Sequence, residues 1–286
     1  VLTAQAAPPP PHAGRPCPAP QAGRPGPAPQ PRLLPQVKRV VAVASGKGGV
    51  GKSTTAVNLA LALAERGLSV GLFDADIFGP SLPRMLAGGG EDTPQPEEGR
   101  EIRPLRAYGV ECMSIGFLVP PDQAVVWRGP MVASAIEQLL RDVTWGALDV
   151  MVVDLPPGTG DTQLTLSQRV ALTGVVVVST PQDIALIDAT RGIAMFRKVD
   201  VPILGVVENM SHYVCPTCGT EAHLFGHGGA RAEAERQGVP FLGEVPLDIA
   251  IRESGDSGRP VMAAQPDGPH AAAYRAIADK VWAQIA

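Results

Sequence analysis

Two lysines lie in one glycine-rich stretch of ten residues, SGKGGVGKST, at positions 45–54. The spacing of its glycines before the Lys52–Ser53 pair is that of a phosphate-binding loop. In such a loop, backbone N–H groups surround phosphate oxygens, the lysine reaches the outer phosphates, and the hydroxyl binds Mg²⁺. The stretch therefore predicts a nucleotide site that does not need the second lysine, Lys47. The residues expected to line this site are Gly46, Lys47, Gly48, Gly49, Val50, Gly51, Lys52, Ser53 and Thr54.

Carboxylates follow two apolar runs further along the chain. Asp154 ends the run DVMVVD, a position from which a carboxylate reaches the water shell of Mg²⁺ in phosphate-loop hydrolases. Asp74 and Asp76 follow the run SVGLF, and their spacing sends both carboxylates to one face of an extended chain. One carboxylate can then face the metal and the other can face the attacking water. The alternative is that the two aspartates only stabilise the turn before FGP. We expect Ser53, Asp74 and Asp154 to be ligands of the metal ion.

A C-x-x-C pair, Cys215 and Cys218, lies in the segment HYVCPTCGTEAHLFGH, close to three histidines. Two thiolates fill only half of a tetrahedral site, so the pair alone is ambiguous. A zinc site completed by two of the histidines, a redox dithiol and plain structural cysteines are the alternatives. Sparse cysteines with one such pair indicate a reducing compartment, and we expect a cytoplasmic protein.

The composition argues against two classes of partner. The chain has 286 residues, 45% of them apolar, which is enough for a substantial core. A net charge of -4 argues against a surface built for nucleic acid or anionic lipid, and no apolar run is long enough to span a membrane. We therefore expect neither nucleic acid nor a membrane as a partner.

Short β-branched runs alternate with helical periods from Arg39 onward. The runs are apolar on both faces, as in buried parallel strands. The alternation predicts an α/β fold with a doubly wound, mostly parallel sheet and ligands at the carboxyl ends of its strands. In the run DLPPGTGD, Asp161 is expected to cap a helix over 162–171. Expected strands span 40–44, 69–73, 149–154, 174–180 and 203–209, and further expected helices span 53–66, 131–142, 184–198, 229–237 and 270–285.

Residues 1–36 contain twelve prolines and no acidic residue. Such a segment buries too little apolar surface to fold, so it is predicted to be a disordered linker. We expect the linker to follow an upstream domain, whereas an organelle transit segment is the alternative. Residues 37–286 are expected to form one P-loop domain that carries the C-x-x-C loop.

These motifs together resemble a known family. KGGVGKST, with its extra lysine, resembles the deviant Walker A class of P-loop NTPases, which includes the MinD and ParA positioning proteins. The pieces DADIFGPS, DLPPGTGD, ENMS, CPTCG and GEVPLD resemble the Mrp/ApbC family of iron-sulfur carriers within that class, from about Arg39 to the C-terminus. The resemblance implies the sheet of a deviant Walker A ATPase.

The resemblance also implies roles for the residues. Proteins of this class dimerise face to face, so Lys47 would cross to the partner's nucleotide and act as an arginine finger does. Asn209 would contact adenine, with Pro246 and Asp248 nearby, and Asp76 would position the hydrolytic water. The implied catalytic residues are Lys47, Lys52 and Asp76.

The implied activity is that of an ATP-dependent iron-sulfur carrier. In a homodimer, two copies of Cys215 and Cys218 supply four thiolates, which suits a labile bridging four-iron four-sulfur cluster. Such a carrier uses ATP and Mg²⁺, accepts the cluster from a scaffold and hands it to apoproteins. The alternative is a MinD/ParA-like positioning ATPase, against which the tail helix argues, since only Arg275 and Lys280 supply positive charge there. A synthase for a small cofactor would leave the cysteine pair unexplained.

Overall fold

The computed structural model describes residues 33–89, 102–119 and 129–286. The strands are Val40–Ala44 (β1), Val70–Asp74 (β2), Leu105–Ala107 (β3), Val110–Ser114 (β4), Val150–Asp154 (β5), Gly174–Ser179 (β6), Ile203–Asn209 (β7), Tyr213–Val214 (β8), Glu221–Ala222 (β9) and Phe241–Val245 (β10). The helices are Lys52–Glu65 (α1), Leu82–Met85 (α2), Gly129–Asp142 (α3), Asp161–Arg169 (α4), Asp183–Lys198 (α5), Gly229–Gln237 (α6), Ile249–Asp256 (α7), Val261–Ala264 (α8) and Pro269–Ile285 (α9). A 3₁₀ turn spans Ile115–Phe117.

The main sheet has the strand order β10-β7-β6-β1-β5-β2-β4-β3. Every neighbouring pair in it is parallel except β3 with β4. The strands β1, β2, β5 and β6 are buried along their whole length, because each is apolar on both faces. The expected doubly wound, mostly parallel α/β sheet is confirmed.

Two apolar layers cover the sheet, one on each face. Alternate residues of β1 belong to different layers, with Val41 and Val43 in one and Ala42 in the other. Helices α1 and α9 pack on the first face, where Tyr274 is among the largest fully buried side chains. Helices α3 to α6 contribute to the second face. The apolar side of α9 is therefore used in packing against α1 and β10.

Register aligns the ends of the central strands. Asp74, the last residue of β2, lies beside Asp154, the last residue of β5, and Asp154 also lies beside Val43 of β1. Since all three strands run in the same direction, the loops that follow them lie at one edge of the sheet.

Several local features differ from the sequence-based expectations. Helix α4 begins at Asp161 itself, with Gly160 at the N-cap position, and it ends at Arg169. Asp161 is therefore not the cap, because the chain adopts helical geometry one residue earlier than the capping pattern indicates. The sequence patterns do not predict the strands β3, β4, β8, β9 and β10 or the helices α2, α7 and α8.

The structured part of the chain includes the residues just before β1. Leu34 is buried in the second apolar layer, and Gln36 accepts a hydrogen bond at its carbonyl from the Leu148 N–H at 3.2 Å. The linker expected over 1–36 thus overlaps with the described residues 33–36, of which Leu34 is buried, and its remaining part lies outside the described residues. Within the described ranges, none of the helices has the length and apolar character needed to cross a bilayer.

Candidate functional site

The glycine-rich stretch connects the central strand β1 to helix α1. Gly51 occupies the N-cap position with φ 83°, and no side chain caps the helix. The first N–H groups of α1 are therefore left for a ligand, and the helix dipole favours an anion there. This arrangement is the one that a phosphate-binding loop requires.

Lys52 and Asp154 form a buried ion pair at the start of α1. The Lys52 ammonium lies 2.6 Å from Asp154 Oδ1 and 3.3 Å from the Ser53 hydroxyl. Burial raises the pKa of Asp154, and the nearby Lys52 charge opposes that shift. The second carboxylate oxygen of Asp154 is buried and has no hydrogen-bond partner among the described residues. An uncompensated buried oxygen of this kind, beside a hydroxyl, is suited to a hard cation such as Mg²⁺ or to one of its waters.

Asp74 organises the loop that follows β2. Its carboxylate accepts hydrogen bonds from the N–H groups of Asp76 at 3.0 Å and Ser81 at 3.1 Å, and from the Ser114 hydroxyl at 3.1 Å. Burial, followed by the charge of Asp154, raises the pKa of Asp74 to about 7. These contacts hold the loop that carries Asp76, and they occupy both oxygens of Asp74.

Asp76 is half-buried and lies in the loop beyond the end of β2. One of its oxygens accepts a hydrogen bond from the Gly79 N–H at 3.3 Å, and its charge acts to raise the pKa of Asp154. The structure thus brings Asp76, Asp74 and Asp154 to the same edge of the sheet. Their assignment as metal ligands and as the group that positions water stays a prediction.

Lys47 differs from Lys52 in its surroundings. It is half-buried, and its carbonyl accepts a hydrogen bond from the Ser45 hydroxyl at 2.8 Å, which fixes the loop backbone. In the described part of the chain, no carboxylate lies within ion-pair distance of its ammonium group. Gly46, one residue before, packs closely on Asp188 of α5, where a Cβ would lie 2.3 Å from the backbone carbon.

Asn209 reaches the phosphate loop from the end of β7. Its side-chain amide donates to the Val50 carbonyl at 2.8 Å and lies so close to Gly51 that a Cβ there would be 2.0 Å from Nδ2. Asp248 instead caps α7 through the Ala250 N–H at 2.7 Å and lies 3.2 Å from His270 Nε2. Pro246 is half-buried in the loop after β10. Of the three residues expected near the base, Asn209 is the one that hydrogen-bonds the phosphate loop within the described part of the chain.

The two cysteines lie on a small hairpin outside the main sheet. Strands β8 and β9 pair through Tyr213 with Ala222 and Val214 with Glu221, and Cys215 and Cys218 lie in the turn between them. Both are free thiols, and Cys218 is exposed.

Thr220 tunes the more exposed thiol. Cys218 Sγ lies 3.2 Å from the Thr220 hydroxyl, and hydrogen bonding from Thr220 lowers the pKa of Cys218, with Cys215 adding to the effect. Because the thiolate is the form that binds metal, the turn favours the ligating state.

The histidines do not complete a metal site with these thiols. His223 and His227 contact each other through Nδ1 atoms 3.2 Å apart, and His212 lies 2.9 Å from the Ser211 hydroxyl through its Nδ1. Across residues 33–89, 102–119 and 129–286, no group of three or more His, Cys, Asp or Glu side chains is arranged to hold a metal ion. The zinc site considered within one chain is therefore not supported by the described residues.

Two features near this site cannot be read from the sequence. Ser114 lies forty residues from the Asp74 carboxylate that it contacts, and only the pairing of β4 with β2 brings them together. Exposed apolar side chains of α5, Ile184 and Ile187, lie on the helix that packs against Gly46. The sequence shows the apolar residues, but it does not show that they remain uncovered.

Comparison with known proteins gives a consistent result. The model of a ParA family described as NUBPL iron-transfer P-loop NTPase matches residues 36–282. The chain is 54% identical over 249 residues to an iron-sulfur cluster transfer protein NUBPL of Dictyostelium discoideum, covering 87% of this chain and 77% of the relative. It is 53% identical over 249 residues to an iron-sulfur cluster carrier protein of Escherichia coli, covering 87% and 67%.

Solved structures show the same fold. A nucleotide-binding protein of Archaeoglobus fulgidus in complex with ADP is 35% identical, with a TM-score of 0.69, and covers 82% of this chain and 91% of its own. The cell division ATPase MinD of Pyrococcus furiosus is 24% identical, with a TM-score of 0.64, over 86% and 98%. At that identity, the likeness to MinD shows the fold alone.

Proposed function

This chain belongs to the ParA family of NUBPL iron-transfer P-loop NTPases, and on that premise we propose that it is an ATP-hydrolysing iron-sulfur cluster carrier. It holds a labile four-iron four-sulfur cluster between two copies of the chain, accepts it from a scaffold and transfers it to apoproteins. One observation carries the proposal: two free thiols lie in an exposed turn and find no third ligand among the described residues. The cytoplasmic location expected from the cysteine usage stays a prediction.

Several contacts support a shared face for the two copies. The phosphate loop packs on α5 through Gly46. The start of α6, which follows the cysteine hairpin, packs on residues just before and within α5, because a Cβ at Gly229 would lie 2.8 Å from the Pro181 carbonyl and from Leu186. The side chains of Ile184 and Ile187 on α5 are 70% and 52% exposed. An apolar surface that borders both the phosphate loop and the cysteine segment is suited to a second copy of the chain.

The charged residues are suited to phosphoryl chemistry. An incoming triphosphate offers Lys52 a stronger partner than Asp154, since the phosphate oxygens carry more charge. Ser53 and the second oxygen of Asp154 would hold Mg²⁺, which supplies charge neutralisation at the phosphates when bound. Asp76 orients the attacking water, and the Lys47 ammonium acts on the nucleotide of the other copy. Asp74 keeps Asp76 in place through its backbone contacts.

Anaerobic reconstitution with iron and sulfide tests the proposal. We expect about one four-iron four-sulfur cluster per two chains, because four thiolates complete its ligand set, and a mass in solution that corresponds to a dimer. Cys215→Ala and Cys218→Ala should each lose the cluster. Cys17→Ser, which removes a cysteine from the expected linker, should leave the cluster content unchanged.

Two results would contradict this function. A full complement of iron and sulfide in Cys215→Ala or Cys218→Ala protein would show that the cluster is held elsewhere. Metal-loaded wild-type protein that is strictly monomeric, or that contains zinc alone, would exclude a shared cluster.

A further inference from the structure

Helix α6, which follows the cysteine segment, begins without a side-chain cap of its own. Its N-cap residue is Gly228, in the left-handed region with φ 66°, and no side-chain hydrogen bond is made there. Gly226, two residues earlier, has φ 103°. These two glycines, on either side of His227, have no side chains to fix them by packing, so we call residues 226–229 the glycine segment and expect its conformation to depend on contacts made by its backbone.

A carboxylate from β7 takes the place of the missing cap. Glu208 is 1% exposed, and its Oε2 accepts a hydrogen bond from the Ala230 N–H at 2.6 Å. Burial raises the pKa of Glu208, while hydrogen bonds from the N–H groups of Ala230 and Gly228 oppose that shift. Its Oε1 is buried and has no partner among the described residues. The first turn of α6 and its glycine segment are thus anchored to a residue twenty positions earlier.

The next residue on the same strand holds the phosphate loop. Asn209 donates to the Val50 carbonyl at 2.8 Å, and its amide lies against Gly51. Neighbouring residues of a strand point to opposite faces of the sheet. The last two residues of β7 therefore contact the phosphate loop with one side chain and the start of α6 with the other.

The opposite end of the cysteine segment is fixed independently. The Ser211 N–H donates to the Val245 carbonyl at 3.1 Å, and the Leu247 N–H donates to the His212 carbonyl at 2.7 Å. The cysteine hairpin between residues 213 and 222 thus has its first end tied to β10 and the loop after it. Its second end leads into the glycine segment, where the Ala230 N–H bonds Glu208 and Gly229 packs on Pro181 and Leu186.

We propose that Glu208 is a positioning residue that couples occupancy of the phosphate loop to the conformation of residues 223–230. When nucleotide binding moves the loop around Val50 and Gly51, Asn209 moves with it. Glu208, the preceding residue of β7, transmits this movement to residues 223–230, which follow the cysteine hairpin. This inference rests on the proposed function only in so far as it assumes that the phosphate loop binds nucleotide. It does not require that the cysteines bind a cluster.

A simple capping role would have a different consequence. A helix cap contributes to the stability of the folded chain, and the loss of that contribution has no reason to depend on nucleotide. A coupling residue instead changes how one site responds to the ligand of the other. The test must therefore measure how residues 223–230 respond to nucleotide. The Glu208 variants must be compared with variants of another buried carboxylate that anchors α6.

Amide hydrogen exchange of the metal-free, full chain, with and without Mg-ATP, provides that measurement. In the wild type we expect nucleotide to change the exchange rate of residues 223–230 by about threefold or more, within the range of coupling found along such networks. Glu208→Ala should abolish this response while binding ATP, as followed by a fluorescent nucleotide. Glu208→Gln, which keeps the shape and one acceptor but loses the charge, should show less than half of the wild-type response.

Glu233 provides a matched control. It is a buried carboxylate of the same helix, but it accepts a hydrogen bond from the Thr190 hydroxyl of α5 at 2.6 Å, and its other polar partners, Arg236 and Gln237, lie on α6 itself. Glu233→Ala and Glu233→Gln should keep the nucleotide response of residues 223–230.

The proposal is overturned if the wild type shows no response, if both Glu208 variants respond like the wild type, or if the Glu233 variants lose the response as well. If Glu208→Ala does not fold, Glu208→Gln alone decides. Because the assay contains no iron, a failure of cluster binding leaves its outcome unaffected.

Discussion

The two lysines of the phosphate loop are held in opposite ways. Lys52 is buried and paired with Asp154, so it is already placed at the expected phosphate position. Lys47 is half-buried and has no ion-pair partner within the described ranges, so its ammonium group can engage another molecule. The need for two lysines in one loop follows if they serve two different nucleotides, one in each copy.

Replacing Lys47 by Ala should therefore separate binding from hydrolysis. We expect ATP affinity to be nearly unchanged and hydrolysis at saturating ATP to fall by about 10³-fold, since a charge supplied in trans contributes about that much in related chemistry. Lys198→Ala, which removes an exposed lysine at the end of α5, should leave both unchanged. Normal hydrolysis by Lys47→Ala protein would refute a role for this lysine across the interface.

The thiols allow a second test at the residue scale. Hydrogen bonding from Thr220 lowers the pKa of Cys218, so more of this thiol is ionised at a given pH. Thr220→Val should raise the pKa of Cys218 and slow its alkylation by iodoacetamide at pH 7. Thr220→Ser, which keeps the hydroxyl, should react nearly as the wild type does. Equal rates in all three proteins would show that the hydroxyl does not stabilise the thiolate.

At the scale of elements, the phosphate loop owes its position to close packing of backbone on backbone. A Cβ at Gly46 would lie 2.3 Å from the Asp188 backbone, whereas a Cβ at Gly48 would meet nothing within 4 Å. Gly46 therefore sets how closely α5 approaches the loop, and Gly48 does not.

This contrast predicts different costs for the same substitution. Gly46→Ala should lower the free energy of unfolding by about 1–3 kcal/mol, because the clash is with backbone that must shift. Gly48→Ala should change it by less than about 0.5 kcal/mol. Urea denaturation of the nucleotide-free proteins measures both changes. A similar loss of stability in the two variants would show that Gly46 is not required for the close approach of α5.

The elements that sequence reasoning identified share one property. Strands β1, β2, β5, β6 and β7 are continuous apolar runs, because both faces of the central sheet are covered. The missed strands β4 and β10 contain Glu111 and Glu244, neither of which is buried, so no continuous run marks them. Strands toward the sheet margins are defined by pairing with a neighbour, and that information is not local.

The site shows the same division between local and distant information. The phosphate loop, Asp74, Asp154 and the cysteine turn were found because each is a contiguous motif next to a strand. Glu208 lies in the motif ENMS, but the sequence does not predict a role for it. Its partner is the backbone N–H of Ala230, and a backbone partner cannot be recognised from residue types. The role of Asp248 as a helix cap for α7 was likewise hidden until the start of that helix was known.

At the scale of the whole molecule, the domain depends on residues that precede its first main-sheet strand. Leu34 is buried in the second apolar layer, and residues 36–38 bond with Leu148 through the backbone. These contacts add an apolar side chain and a short bridge beside the start of the sheet.

Two truncations should therefore differ in stability. Deletion of residues 1–32 should leave the free energy of unfolding within about 0.5 kcal/mol of the wild-type value. Deletion of residues 1–36 should lower it by about 2–3 kcal/mol, since it also removes the buried Leu34 side chain and the Gln36 hydrogen bond. Chemical denaturation distinguishes them, and equal stability of the two truncated chains would rule out a contribution from residues 33–36.

The small size of the cysteine ribbon bears on how firmly it can keep its cargo. Its two strands pair over only two residues each and do not join the main sheet. Ribbons of that length have marginal stability in water, so if Cys215 and Cys218 hold the proposed cluster, part of the free energy of coordination would be used to order the hairpin. The net affinity would be lowered by that amount. Low affinity would be unsuitable for a protein that keeps its metal centre permanently. In a carrier, it would allow the cluster to be transferred to an acceptor protein.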